Sequence, residues 1–211
     1  MTARAASAES RSHRRSYSAP MTATPPATPA PGRRKEAKAK TRGALIDAGL
    51  QLAERTGLTG LSVDLIVKHA GVAKGTFFHH FGDRASYLLA LHREFHERLA
   101  TQMQAAIVDM PPGRKRLIAG ANACLDGCLR DRGVRALLLE ARAEPAITDE
   151  IGHRNHANAE LCRPDFAALA RPHPYESAQL WVGMVAEAAL IEYQAATALP
   201  AIRKALAQFL K

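Results

Sequence analysis

From Lys35 onward the apolar positions recur at steps of three and four, the spacing of one face of an α-helix. Leu45, Ile46, Ala48, Gly49, Leu52 and Ala53 carry the first run, and Gly57 stands where a C-cap glycine would end it. Ser62 is a good N-cap for a short second helix over residues 63–70, with Ile66 and Val67 facing inward. Gly71 permits the left-handed backbone of a tight turn, and Val72 plugs the corner. A third helix is predicted over 73–81, stopped by Gly82. Asp83 then caps a long fourth helix that runs to about residue 109, before Pro111 and Pro112. Five further helices are predicted, over 113–131, 134–143, 145–170 with an interruption at Pro164, 175–199 and 201–211. Pro145, Pro174 and Pro200 sit where a first-turn proline is tolerated. Strand alternation and Asn-Gly or Asp-Gly hairpin signals are missing from the sequence, so the class is all-α, with about nine helices.

Two short helices joined through a glycine, behind a longer supporting helix, make a helix-turn-helix. Its second helix lies in the stretch AGVAKGTFFHHF, residues 70–81. Phe77 and Phe81 are four apart and share the buried face with Val72, and His80 is expected to pack against the fourth helix. The opposite side shows Lys74, Gly75, Thr76, Phe78 and His79. An outward phenylalanine between Lys and Thr suits apolar contact with thymine methyls alongside phosphate contacts.

Residues 38–92 resemble the tetracycline-repressor (TetR) family of bacterial transcription regulators. The resemblance rests on TRGALIDAGLQLAERTG followed by LSVDLIVKHAGVAKGTFFHHFGDRASYLLAL. Its core is Ala-Gly-Val-x-Lys-Gly-Thr-aromatic-aromatic-x-His-Phe with a basic residue three positions on. The resemblance implies that Lys74, Gly75 and Phe78 face bases, and that Ser62, Thr76, His79 and Arg84 contact phosphates. Two positions depart from the pattern. Phe78 replaces the usual tyrosine and lacks its phosphate-bonding hydroxyl, and Val67 stands where alanine is usual.

The resemblance also implies a helical ligand-binding and dimerising domain, placed at 85–211 behind a DNA-binding domain at 35–84. The helix predicted over 175–199 is apolar around most of its circumference, which calls for partners on two sides: its own core and a second subunit, hence a homodimer. Leu138, Trp181, Met184 and Tyr193 are the candidate pocket residues, and His153, His156, Asn158, Glu187 and Glu192 are polar residues set among apolar ones. Cys124 and Cys128 share a helix face, as small buried hydrophobes or as a thiol sensor. His92 and His96 are four apart, but no carboxylate or cysteine of matching spacing completes a metal site. They are expected to be solvated or at an interface, and no metal or cofactor is implied.

Charge sharpens the picture of the N-terminus. Residues 1–40 hold nine Lys/Arg against Glu9 and Glu36, so they supply +7 of the net +9. A basic arm on a nearly neutral body points to a polyanion partner, double-stranded DNA. Residues 1–34, rich in Ser, Ala, Pro and Thr, are expected to be disordered, with Met21 as an alternative start. Three cysteines make no even disulfide framework, no secretion signal is recognisable, and the apolar runs are too short to span a membrane, which together suggest a cytoplasmic setting. The reading is a homodimeric, ligand-responsive repressor released from an operator by a small-molecule effector. Nonspecific DNA coating through the basic arm is one rival. A small all-α enzyme is another, but no nucleophile–base pair, phosphate loop or metal cluster supports it.

Overall fold

In the computed structural model, residues 31–211 are described and carry α-helices, one short 3-10 helix and no strand. The first helix, α1, spans Pro31–Gly60 but is broken at Gly57, whose φ of 60° and ψ of −172° are not helical. The break falls at the glycine expected to end the run. The start lies earlier than expected: residues 31–34 belong to α1 rather than to a disordered arm, and the cationic run 33–40 lies fully exposed along the helix. The part of the proposed disordered arm before residue 31 lies outside the described residues.

Helices α2 (Val63–Ala70) and α3 (Lys74–Phe81) follow the local signals closely. Ser62 Oγ accepts the Leu65 amide at 3.2 Å, and Gly71 at φ 67° closes the helix with its N–H on the Val67 and Lys68 carbonyls. Asp83 caps α4 (Arg84–Ile107) by accepting the Ser86 amide at 2.7 Å. That hydrogen bond holds the Asp83 carboxyl below its usual range.

The core of this half is aromatic. Phe77 is fully buried, with the rings of Phe81 at 5.4 Å and Tyr87 at 4.9 Å. Tyr87, also fully buried, donates its hydroxyl to the Leu45 carbonyl at 2.7 Å, which fastens the start of α4 to α1. Gly49 leaves the space for that contact. A Cβ there would run into the Tyr87 hydroxyl and come within 2.9 Å of Leu91 Cδ2. Gly49→Ala is therefore expected to cost about 1–3 kcal/mol by overpacking. Tyr87→Phe should cost about 0.5–1.5 kcal/mol for the lost hydrogen bond. The double variant should be less destabilised than the sum, because removing the hydroxyl frees space. Denaturant midpoints of the four proteins check this.

The rest of the chain is α5 (Arg114–Arg130), α6 (Arg132–Glu140), the 3-10 turn Ala141–Ala143, α7 (Pro145–Ala168), α8 (Pro174–Ala195) and α9 (Pro200–Gln208). Helices α7 and α8 pack most extensively on each other, α4 lies against α5 and α7, and α6 lies against α1. Among the departures from expectation, two have a visible local setting. Helix α7 runs through Pro164 without interruption. The proline is exposed, and the Leu161 carbonyl in the turn before it accepts a bond from Arg116 at 3.1 Å. Helix α8 stops at Ala195 because Ala196 turns left-handed at φ 60°. The chain then bends back so that the Leu199 amide reaches the buried Glu192 at 2.9 Å.

Among the described residues no helix is long and apolar enough to cross a membrane.

Candidate nucleic-acid interface and the cavity behind it

Helix α3 is anchored by one face and bare on the other. Phe77 and Phe81 point into the core, while Lys74, Gly75, Phe78 and His79 are exposed and Thr76 is half-buried. Phe78 is 45% exposed and leans edge-on against Phe77, with centroids 5.4 Å apart. Nearly half of this large aromatic is thus left as apolar surface uncovered by the described residues. Nothing lies within 4 Å of a Cβ built on Gly75, so the backbone there is open to close approach. Lys74 reaches Asp64 of α2 at 2.8 Å, an exposed pair that solvent screens heavily.

The remaining candidates flank this face. Ser62 is exposed at the start of α2, although its Oγ already caps that helix. Arg84 opens α4 with its Nε 3.5 Å from the Leu61 carbonyl, next to Ser62. Ser62 and Arg84 thus converge across 22 residues of sequence, beside the N-terminus of α2, where backbone N–H groups favour an anion. Arg42 of α1 sits over the Phe81 ring at 5.4 Å, which ties the helix bearing the cationic run to α3. His80 is half-buried; burial, then the neighbouring His79, Lys38 and Arg42, lowers its pKa. The charges it feels therefore belong to α1 as well as α3.

Behind this unit lies a cavity of about 220 Å³ walled by α4, α5, α6, α7 and α8. Leu138 and Trp181, two of the four candidate pocket residues, line it. Met184 and Tyr193 are not on its wall. Trp181, Val185, Ala188 and Ala189 form the inward stripe of α8, and Met184 falls off that stripe. Tyr193 instead stacks under Arg132, whose guanidinium carbon is 5.4 Å from the ring centroid. Asn158 is on the cavity wall, whereas His156 bonds the Tyr175 hydroxyl at 2.6 Å and Glu192 pairs with Arg203.

The histidine pair overturns its expectation. His92 is only 2% exposed, and both His92 and His96 line the cavity, their ring centroids 4.4 Å apart. Sequence spacing placed them on one helix face but could not show that α6 and α7 cover it. Among the described residues, no three potential metal ligands gather. Burial, then Arg154, brings His92 down to about 4; burial, then His92, brings His96 to about 2.

Below the ordinary histidine pKa near 6.5 the unfolded chain binds protons that these folded imidazoles refuse, so stability should fall as pH drops from about 6.5 toward 4. His92 alone accounts for about 3 kcal/mol over that window. Denaturant midpoints measured between pH 7 and pH 4.5 should fall less steeply for His92→Gln than for the wild type.

Residues 45–91 match the model described as bacterial regulatory proteins, tetR family, and they contain α2, the turn and α3 in full. This segment is thus a tetR-family helix-turn-helix region. The transcriptional regulator AcuR of Cereibacter sphaeroides is 36% identical over 110 residues, which cover 46% of this chain and 48% of AcuR. The chain thus spans about half the length of this curated relative. Solved structures share the architecture further. A transcriptional regulator from Rhodococcus superposes with a TM-score of 0.67 at 21% identity, covering 80% of this chain and 93% of its own. The multidrug binding protein EbrR, complexed with imidazole, superposes with a TM-score of 0.65 at 22% identity, covering 81% and 94%. Members of the tetR family are transcriptional regulators rather than enzymes, and they bind DNA through the helix-turn-helix.

Proposed function

We propose that the chain is a homodimeric, cytoplasmic repressor that a small-molecule effector releases from its operator. The observation that carries this reading is the double duty of α4. Its first turns hold Arg84 beside α2 and Tyr87 under α3, while His92, His96, Leu99 and Met103 of the same helix wall the cavity. Helix α6 repeats the arrangement, packing on α1 while Arg135 and Leu138 face the cavity. A ligand that moves α4 or α6 therefore moves the reading head, and differential affinity of the two arrangements for ligand and for DNA supplies the coupling.

In this reading Lys74, Gly75 and Phe78 face base edges in the major groove, with Phe78 against a thymine methyl. Ser62, Thr76, His79 and Arg84 hold phosphates and set the register. The exposed run Arg33, Arg34, Lys35, Lys38 and Lys40 on α1 adds nonspecific attraction. Replacing all five by Gln should lower the slope of log affinity against log salt by roughly one to three units with sequence preference little changed. Titrations on one duplex at several salt concentrations measure that slope.

The dimer uses the outer side of α8, where Leu180 is 71% exposed and Gly183 has nothing within 4 Å of a would-be Cβ. Trp181 and Val185 are buried in the protomer's own core, so Glu at either position tests folding, whereas Leu180→Glu tests association. Sedimentation of the wild type at micromolar concentration should give a dimer; a monomer would contradict this assignment.

Selection from a random duplex pool tests the function as a whole. Enrichment of two-fold-symmetric sites with half-sites about one helical turn or a multiple apart is expected. Retention of the pool without enrichment would instead mark a nonspecific DNA-coating protein.

A further inference from the structure

The cavity is mostly apolar, with Leu99, Ile107, Leu117, Leu138, Trp181 and Val185 on its wall, yet it contains an unusual concentration of cations. Arg116, Arg135, Arg142 and Arg154 line it, against a single lining carboxylate, Asp165. Asp165 is fully engaged: Arg116 grips it through Nε and a terminal nitrogen, both at 2.8 Å, and the Gly113 amide bonds it at 2.8 Å. Glu150 lies nearby but is divided between Arg93 at 2.8 Å and Arg154 at 3.4 Å.

Arg135 is left over. It is 8% exposed, and its Nε is shielded from solvent with no hydrogen-bond partner among the described residues. Arg154 Nε and His92 Nδ1 share that condition, and both side chains line the same cavity. A buried guanidinium without a counter-charge is costly, and its planar donors match a carboxylate. Two shielded guanidinium nitrogens that lack acceptors, with an unpartnered imidazole nitrogen on the same cavity wall, suit an anionic ligand.

We infer that the cavity takes a small organic anion, its acid group held by Arg135 with Arg154 and His92 and its apolar part against the remaining wall. This deepens, and rests on, the reading of the cavity as the effector site. The size follows from the volume: about 220 Å³ falls below the roughly 300–1,000 Å³ of sites for drug-sized ligands, so a compact carboxylate fits best. The apolar walls disfavour a fully hydrated inorganic ion, which would lose its water for too few donors.

Calorimetry with the full chain at pH 7 tests the inference, using hexanoate and benzoate, the matching hexanamide and benzamide, and inorganic phosphate. Saturable binding of at least one carboxylate, ten-fold or more tighter than its amide and than phosphate, is expected. Arg135→Met should abolish that preference, and Arg135→Lys should restore part of it. Should Arg135→Met fail to fold by circular dichroism, Arg154→Met provides the same comparison. Equal affinity for acid and amide, preference for phosphate, no binding by either carboxylate, or an intact preference in the folded Met variant would each overturn the assignment. If the carboxylate binds as expected but leaves DNA affinity unchanged, the anion site stands and the effector reading fails.

Discussion

Phe77→Ala is expected to lower the stability of the fold by about 3–5 kcal/mol, the cost of a large cavity in a core that cannot collapse around it. Phe77 has no exposed surface and touches three rings: Phe78, Phe81 and Tyr87. Two of them are held independently, Tyr87 by its bond to Leu45 and Phe81 by the helix end and Arg42. Relaxation into the void is therefore restricted. Helix α3 has only eight residues and depends on this packing, since isolated helices of that length are unstable in water. Phe77→Leu, which keeps most of the volume, should recover more than half of the loss. The neighbouring Phe78→Ala should leave the denaturation midpoint nearly unchanged, because Phe78 is half exposed. Chemical denaturation of the three variants distinguishes the anchor from the reading surface.

Arg203→Met is expected to cost a similar amount, about 3–5 kcal/mol, by leaving a buried carboxylate without its partner. Glu192 has no solvent exposure, and Arg203 bonds both of its oxygens at 2.8 Å while reaching Asp126 at 2.7 Å. Burial alone would raise the Glu192 pKa; Arg203 and the Leu199 amide outweigh it and hold the value below the ordinary range. Without Arg203 the burial contribution prevails and the carboxyl pKa rises above its unfolded value. The sign of the pH response then inverts at this site. The wild-type pair contributes stability that is lost as pH falls through the depressed folded pKa, whereas the variant should regain stability as acid protonates Glu192. The pair also links α8, α5 and α9, so the double variant Glu192→Met/Arg203→Met should lie closer to the wild type than Arg203→Met does. Thermal unfolding at pH 7 and pH 5 measures both effects.

The helix-turn-helix was legible because its determinants are local. Ser62, Gly71, Gly82 and Asp83 each act within a few residues, and the structure places them as caps and turns. Phe77 and Phe81 announce the buried face by their spacing. The cavity was not legible in the same way. Helix α8 is apolar nearly all round, so periodicity could not select Trp181 and Val185 over Met184 as the inward stripe. Likewise, nothing in the spacing of His92 and His96 shows that α6 and α7 close over them. Arg135 gave no signal at all, since a cation on a short helix is normally solvated. Its burial arises only when α6 packs back on the bundle.

Direct readout by α3 is the central claim, and affinities for the selected duplex and for a scrambled duplex of equal length, at one fixed salt concentration, test it most directly. For Phe78→Ala the ratio of the two affinities should fall by about 1–3 kcal/mol, with scrambled-duplex affinity little changed. Arg84→Ala should weaken both duplexes together and keep the ratio. A Phe78→Ala protein that folds normally and retains the full wild-type ratio would contradict the account.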